Sequence, residues 1–234
     1  MFQFAPIGVI RSCFREKFGI PRQPGLVPAA RATLELAPPY YQPAAVRGLE
    51  SFSHVWLVFV FHGIAPGRWR PTVRPPRLGG NQRLGVFATR STFRPNPIGL
   101  SAVRLERVDT IQGRVALRLA GVDLLDGTPI LDIKPYLPYA DRIPDAVGGF
   151  AADAPEPALE VTFSARAAEF CAAWPQPGLR ELIVQTLGQD PRPAYERADP
   201  MPQAHGMKLY NLDVRWQAQD GVATVTEIVV LAAG

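Results

Sequence analysis

Residues 52–61, FSHVWLVFVF, form a nearly unbroken apolar run rich in Val, Phe and Trp. Its length and composition predict a buried strand, not a helix. Shorter patterned stretches surround it. Residues 2–10 read as a first strand, and residues 32–36 alternate as a second. Residues 84–89 and 99–108 are strands flanking a loop. Residues 114–119 alternate cleanly and pair with the strand before them. Asp126-Gly127 marks a hairpin turn, with residues 130–133 as the following strand. Residues 44–50 supply one or two helical turns, and residues 63–81 are a Pro/Arg/Gly loop too long to be idle. Many short strands with frequent turns predict an all-β barrel or sandwich.

The pattern changes after a proline-punctuated stretch. Residues 159–163 read as a strand, Ser164 caps a helix over 165–174, and residues 179–187 form a second helix. Residues 209–216 alternate, with Tyr210, Leu212, Val214 and Trp216 on one face. Residues 222–231 alternate less cleanly and are read as the hairpin partner. The reading is therefore a mainly β protein: a β domain over residues 1–145 and a small α+β domain over 155–234.

Charge sharpens this division. Residues 1–140 carry 18 Lys+Arg against 8 Asp+Glu, whereas residues 141–234 carry 7 against 13. The positive footprint lies in the first part. No Asp or Glu occurs from residue 51 to 105, while that window holds eight arginines. Arg68, Trp69, Arg70, Arg74 and Arg77 interleave base-stacking and phosphate-binding chemistry, which suits RNA. Codon bias in a GC-rich genome explains part of the arginine excess but not the missing acids.

Residues 81–105, NQRLGVFATRSTFRPNPIGLSAVRL, are the stretch around which the chain is organised. Glycines enter it, a Thr-Arg-Ser knot holds Arg90, and a rigid Pro-Asn-Pro exit follows Arg94. Shaped loops of this kind carry function more often than cores do. His54 reads as a core histidine, and His62 stands where the strand gives way to the arginine loop. Neither has metal-ligand spacing, so no metal is expected. Cys13 and Cys171 lie far apart and read as free thiols of a reducing compartment. No secretory pattern or membrane span is seen, which points to a cytoplasmic protein. There is no GxSxG, HExxH, P-loop or GxGxxG motif.

PRQPGL at 21–26, FVFHG at 59–63, WRPTVRPPRLGGN at 69–81, GVFATRSTFRPNPIGLSAVRL at 85–105, DLLDGTPILDIKPYLPYAD at 123–141 and DPRPAY at 190–195 closely resemble the TrmO (YaeB/TsaA-like) family. The resemblance implies a single-sheeted β-barrel and a homodimer. It implies S-adenosylmethionine as cofactor and methylation of N6 of threonylcarbamoyladenosine beside the anticodon of threonine tRNAs.

Carried over by motif, the cofactor residues are Pro24, Gly25, Leu26, His62, Gly63, Arg90, Leu100, Ala120, Gly121, Val122 and Asp123. The substrate residues are Arg70, Arg74, Arg77 and Arg94, with Arg192 and Tyr195 contributed by DPRPAY. Asp126, Asp132 and Tyr136 are candidate bases, and orientation alone is the alternative to a base. Two other readings stand beside this one: a non-catalytic RNA-binding barrel, and a metal-free hydrolase using Asp and His.

Overall fold

The computed structural model describes residues 3–65, 67–197 and 203–232, without the side chains of residues 111, 194 and 195. The elements are β1 (Gly8–Ser12), β2 (Arg31–Leu36), β3 (His54–Val60), β4 (Thr72–Val73), β5 (Leu84–Gly85), β6 (Ile98–Ile111), β7 (Arg114–Ala120) and β8 (Pro129–Pro135). They continue with α1 (Pro138–Asp141), β9 (Glu160–Phe163), α2 (Ala165–Ala173), α3 (Leu179–Gly188), α4 (Ala194–Arg197), β10 (Ala204–Leu209), β11 (Leu212–Gln219) and β12 (Val222–Val230). The chain divides into two compact units. One contains Met1–Arg11, Thr33–Leu119 and Gly127–Ala154; the other contains Ser12–Ala32, Ala120–Asp126 and Pro155–Gly234.

The first unit carries a closed barrel in the order β1-β2-β7-β6-β3-β8. Closure leaves no free sheet edge. The apolar run becomes β3, paired antiparallel with β6 on one side and β8 on the other. Val55, Leu57 and Phe59 are buried inside, opposite Val103, Ser101 and Gly99. Burial is on that face alone. The outward residues Trp56, Val58 and Val60 are half-buried, and their partners Leu100 and Ile98 are 54% and 41% exposed. His54 shares the outward face and is exposed, not a core histidine. Its Nδ1 lies 2.9 Å from Ser53 Oγ, and its ring meets Tyr136 edge-on.

Gly99 sits directly opposite Phe59, and a Cβ there would fall 2.3 Å from the Phe59 ring. Gly99→Ala is expected to destabilise the barrel by about 1–3 kcal/mol, the usual range for overpacking. A Phe59→Leu companion should recover part of the loss, as urea unfolding would measure.

Two expectations about local structure change. The strand over 84–89 keeps just Leu84–Gly85, and residues 86–88 turn into a 3₁₀ segment. The cause is Thr89, whose hydroxyl donates to Val86 O at 2.9 Å and accepts from Ser91 N. That local bonding competes with a strand ladder. The turn at Asp126-Gly127 does not make a hairpin, because β7 and β8 are not neighbours. The β6–β7 hairpin closes instead through Gln112 and Gly113, both at positive φ (51° and 76°), as a two-residue loop between twisted strands requires.

The second unit holds the sheet β10-β11-β12-β9, with β9 parallel to β12. The Ser164 side chain caps α2 by accepting from Ala167 N at 3.2 Å. Leu212, Val214, Trp216 and Ala218 form the buried face of β11. Residues 209–216 are not one strand: Tyr210 (φ 54°) and Asn211 turn β10 into β11. The imperfect alternation of β12 comes from a bulge. Arg215 pairs with Glu227 and Trp216 with Val225, so Thr226 is extra and the buried phase slips from Val225 to Ile228. Residues 12–32 join this unit. Phe14 bridges to Leu209, Tyr210 N donates to Cys13 O at 2.7 Å, and Ala29 N donates to Gln185 Oε1 at 2.8 Å.

Candidate functional site

In the first unit the organising loop is tied to itself by backbone and hydroxyl bonds. β4 pairs with β5, Val86 N donates to Pro71 O at 3.0 Å, and Arg70 N donates to Phe93 O at 3.1 Å. Phe93 N donates to Ser91 Oγ. Arg94 is half-buried, and its Nη1 donates to Val86 O (3.2 Å) and Thr89 O (2.8 Å). Arg94 therefore shapes the loop as well as charging it. Its guanidinium lies 5.6 Å from the centroid of Phe87, and that of Arg70 lies 5.1 Å from Phe93. Arg70, Arg74, Arg77 and Arg90 are exposed. Arg77 also donates to Asp153 O. His62 and Gly63 are exposed at the end of β3, with His62 Nε2 facing Gly127. Leu100 faces outward from β6.

In the second unit the structure brings two predicted cofactor segments together. Gly25 N donates to Gly121 O at 2.8 Å. Both glycines have positive φ, 81° and 67°. A Cβ on Gly121 would stand in ordinary contact, 3.4 Å from Gly25 Cα, so it is the left-handed backbone of both residues, not a shortage of space, that favours glycine here. Ala120 and Val122 are buried, anchoring the turn, while Pro24, Leu26 and Asp123 are half-buried beside it. A Cβ on Gly25 would meet nothing within 4 Å, so this backbone borders open space.

The carboxylates are occupied. Asp126 accepts Ser12 N at 2.9 Å through one oxygen and pairs with Arg15 through the other. Asp132 accepts Ile133 N and pairs with Lys134. Tyr136 packs against Trp56, with ring centroids 5.7 Å apart.

Arg192 lies in a buried cluster. Its Nε and Nη2 donate to the two oxygens of Asp190 at 2.8 and 3.1 Å, with side chains 11% and 5% exposed. The Asp190 hydrogen bond holds the guanidinium pKa above its ordinary value. Arg197 adds a bond to Asp190 O at 2.7 Å. The side chain of Tyr195 lies outside the described residues. Cys13 and Cys171 are both free, and burial pushes the Cys13 thiol up to about 12, so it stays protonated.

Residues 9–142 match the tRNA-methyltransferase O N-terminal domain, and residues 156–231 match the TrmO C-terminal domain. The chain belongs to the TrmO family. It is 52% identical over 221 residues to the tRNA (adenine(37)-N6)-methyltransferase of Escherichia coli (strain K12), covering 94% of each chain. It is 57% identical over 216 residues to a Pseudomonas aeruginosa protein named a putative S-adenosylmethionine-dependent methyltransferase, covering 91% of this chain and 90% of that one. A crystal structure of TrmO from Pseudomonas aeruginosa superposes with a TM-score of 0.79 at 45% identity, covering 98% of both chains.

A TrmO-family barrel accounts for the missing dinucleotide fingerprint, because no Rossmann turn is present to carry one. Among the described residues there is no cluster of His, Cys, Asp or Glu able to hold a metal, and no helix is long and apolar enough to cross a membrane. Sequence reasoning passed over two residues. Phe87 stands between Gly85 and Arg90, an aromatic interleaved with arginines just as Trp69 is, and that pattern could have found it. Asp190 shows its role solely through burial.

Proposed function

We infer that this chain is an S-adenosylmethionine-dependent tRNA methyltransferase acting on N6 of the adenine at position 37. The carrying observation is the match of both TrmO domains, in order, along nearly the whole chain. The substrate we propose is N6-threonylcarbamoyladenosine in threonine tRNAs, methylated by a cytoplasmic homodimer. The outward apolar face of Trp56, Val58, Val60, Ile98 and Leu100 supports a second copy, since contiguous exposed apolar surface marks an interface. We assign the barrel domain, 1–145, to catalysis and the α+β domain, 155–234, to orienting the tRNA.

The Gly25–Gly121 cradle fits a cofactor held mainly by backbone, because the positive φ of both residues favours glycine and open space lies beside Gly25. We propose that Pro24, Gly25, Leu26 and Ala120 to Asp123 hold S-adenosylmethionine there. On their motifs alone, His62, Gly63, Arg90 and Leu100 of the first unit are likewise proposed as cofactor-binding residues. When bound, this cofactor supplies a methyl group already activated on a sulfonium. The chain's own task is then positioning, with methyl and nitrogen brought to about 3–3.5 Å in line. Asp126 and Asp132 have both oxygens engaged, so we assign the work to orientation, with the N6 proton passing to water as the methyl group leaves the sulfonium. Arg90, with Arg94, holds the threonyl carboxylate or the neighbouring phosphate.

The deciding experiment incubates the protein with isotope-labelled S-adenosylmethionine and tRNA, with and without threonylcarbamoylation, then digests to nucleosides. Label in methylated threonylcarbamoyladenosine is expected, dependent on the prior modification. Label in another nucleoside would discard the substrate. No label from folded protein that binds tRNA would leave the non-catalytic RNA-binding barrel.

The exposed arginines supply the phosphate contacts. Arg74→Ala is expected to weaken tRNA binding uniformly and reduce the slope of log K against log salt by about 1. An unchanged slope would move the phosphate surface elsewhere.

A further inference from the structure

Phe87 is the most exposed aromatic side chain of the acid-free window, with 74% of its surface in solvent. Leaving a phenyl in water is unfavourable by about 1.5–3 kcal/mol relative to burying it. Nothing about the local chain leaves it loose. Val86, its neighbour, is 1% exposed and anchors the turn. Thr89 closes the turn on Val86 O through both its amide (3.2 Å) and its hydroxyl (2.9 Å). Arg94 braces the same carbonyl and places its guanidinium 5.6 Å from the Phe87 ring centroid. The ring is thus presented outward on a braced turn, with a cation near it and arginines at 83, 90 and 94 in the same loop.

We propose that Phe87 is a stacking platform for an unpaired base of the tRNA loop that carries the target adenine. This deepens the methyltransferase reading and rests on it. Chemistry on a base requires that base to leave its stack, and an aromatic face replaces the stacking that is lost. The arginines favour an anionic chain beside the ring, which an apolar protein partner would not match. Stacking on phenyl involves no charge, so Phe87 contributes to RNA affinity without contributing to its salt dependence. Arg94 is a positioning residue for the ring.

The test compares wild type, Phe87→Ala, Phe87→Leu and Phe87→Trp in methyl transfer, with tRNA and S-adenosylmethionine varied separately. Wild-type transfer establishes the underlying reading first; its failure there is a failure of that reading and not of the platform. Given an active wild type, Phe87→Ala should raise KM for tRNA about 5- to 100-fold. KM for the cofactor, the salt slope and the thermal unfolding midpoint should not move. Phe87→Leu, apolar but without a π face, should remain impaired, and Phe87→Trp should restore affinity. Leu performing as well as Phe would overturn the platform. So would a change confined to the cofactor KM, or a shift in oligomeric state on Phe87→Ala, since each would give the ring another occupant.

Discussion

Arg192→Ala is expected to destabilise the protein by about 3 kcal/mol, at the lower end of the range for breaking a buried ion pair. Asp190 would be left 4% exposed, having lost two of its bonds. Arg197 stays within 3.3 Å of Asp190 Oδ2 and limits the loss. Arg192→Lys keeps the charge but loses the fork and should fall between the two. Replacing Asp190 with Asn and Arg192 with Leu together should restore part of the stability: the buried carboxylate is gone, Asn tolerates the φ of 45° at residue 190, and Arg197 keeps its bond to the residue-190 carbonyl. Urea unfolding of the four proteins measures this. A stable Arg192→Ala protein with a raised KM for tRNA would reverse the assignment and return Arg192 to the RNA surface.

That residue illustrates what a sequence can and cannot reveal. DPRPAY is a recognisable motif, but motif membership does not say whether a guanidinium faces RNA or a buried carboxylate. The difference lies in burial, which depends on packing from distant parts of the chain. Locally determined features were legible: the Ser164 cap, the helices after it, and the alternation of β7 and β11. So was the all-β character of the first part, which followed from short strands and frequent turns; that the sheet closes into a barrel rested on the family resemblance. The imperfect pattern of β12 was visible as irregularity, and its cause, an extra residue at Thr226, needed the pairing register.

Other features were hidden because they are tertiary. An apolar run such as 52–61 reads as buried on both faces, yet only Val55, Leu57 and Phe59 enter the barrel core. A lone sequence cannot separate a core face from an outward apolar face, since Val and Leu stand on both. His54 was misread for the same reason: apolar neighbours at 56, 58 and 60 share its outward side. Nor could spacing show that residues 12–32 and 120–126 would join the C-terminal sheet in one unit. Of the candidate site, the arginine loop was legible from composition. The meeting of Gly25 and Gly121, separated by nearly a hundred residues of chain, was not.

That meeting supports the other large effect. Gly121→Ala is expected to lower affinity for S-adenosylhomocysteine at least about tenfold, an effect of roughly 1.4 kcal/mol. A φ of 67° strains any L side chain, by about 1–2 kcal/mol. The new Cβ would stand in ordinary contact, 3.4 Å from Gly25 Cα and 3.5 Å from Gly25 N. The effect on the ligand therefore comes from the backbone shift that relieves the φ strain, which would move the Gly121 carbonyl that Gly25 N bonds at 2.8 Å. The same strain far from the cradle would lower stability without touching the ligand. Gly113→Ala separates the two effects. Gly113 has φ 76° at the β6–β7 hairpin tip, with nothing within 4 Å of its added Cβ. It should lose similar stability and keep wild-type cofactor affinity. Gly25→Ala adds a methyl group to open space beside the cradle, so it should lose affinity beyond its strain. Calorimetric titration of the three variants decides the matter. If Gly121→Ala binds S-adenosylhomocysteine as wild type does, the cradle is a packing contact and the cofactor is held elsewhere.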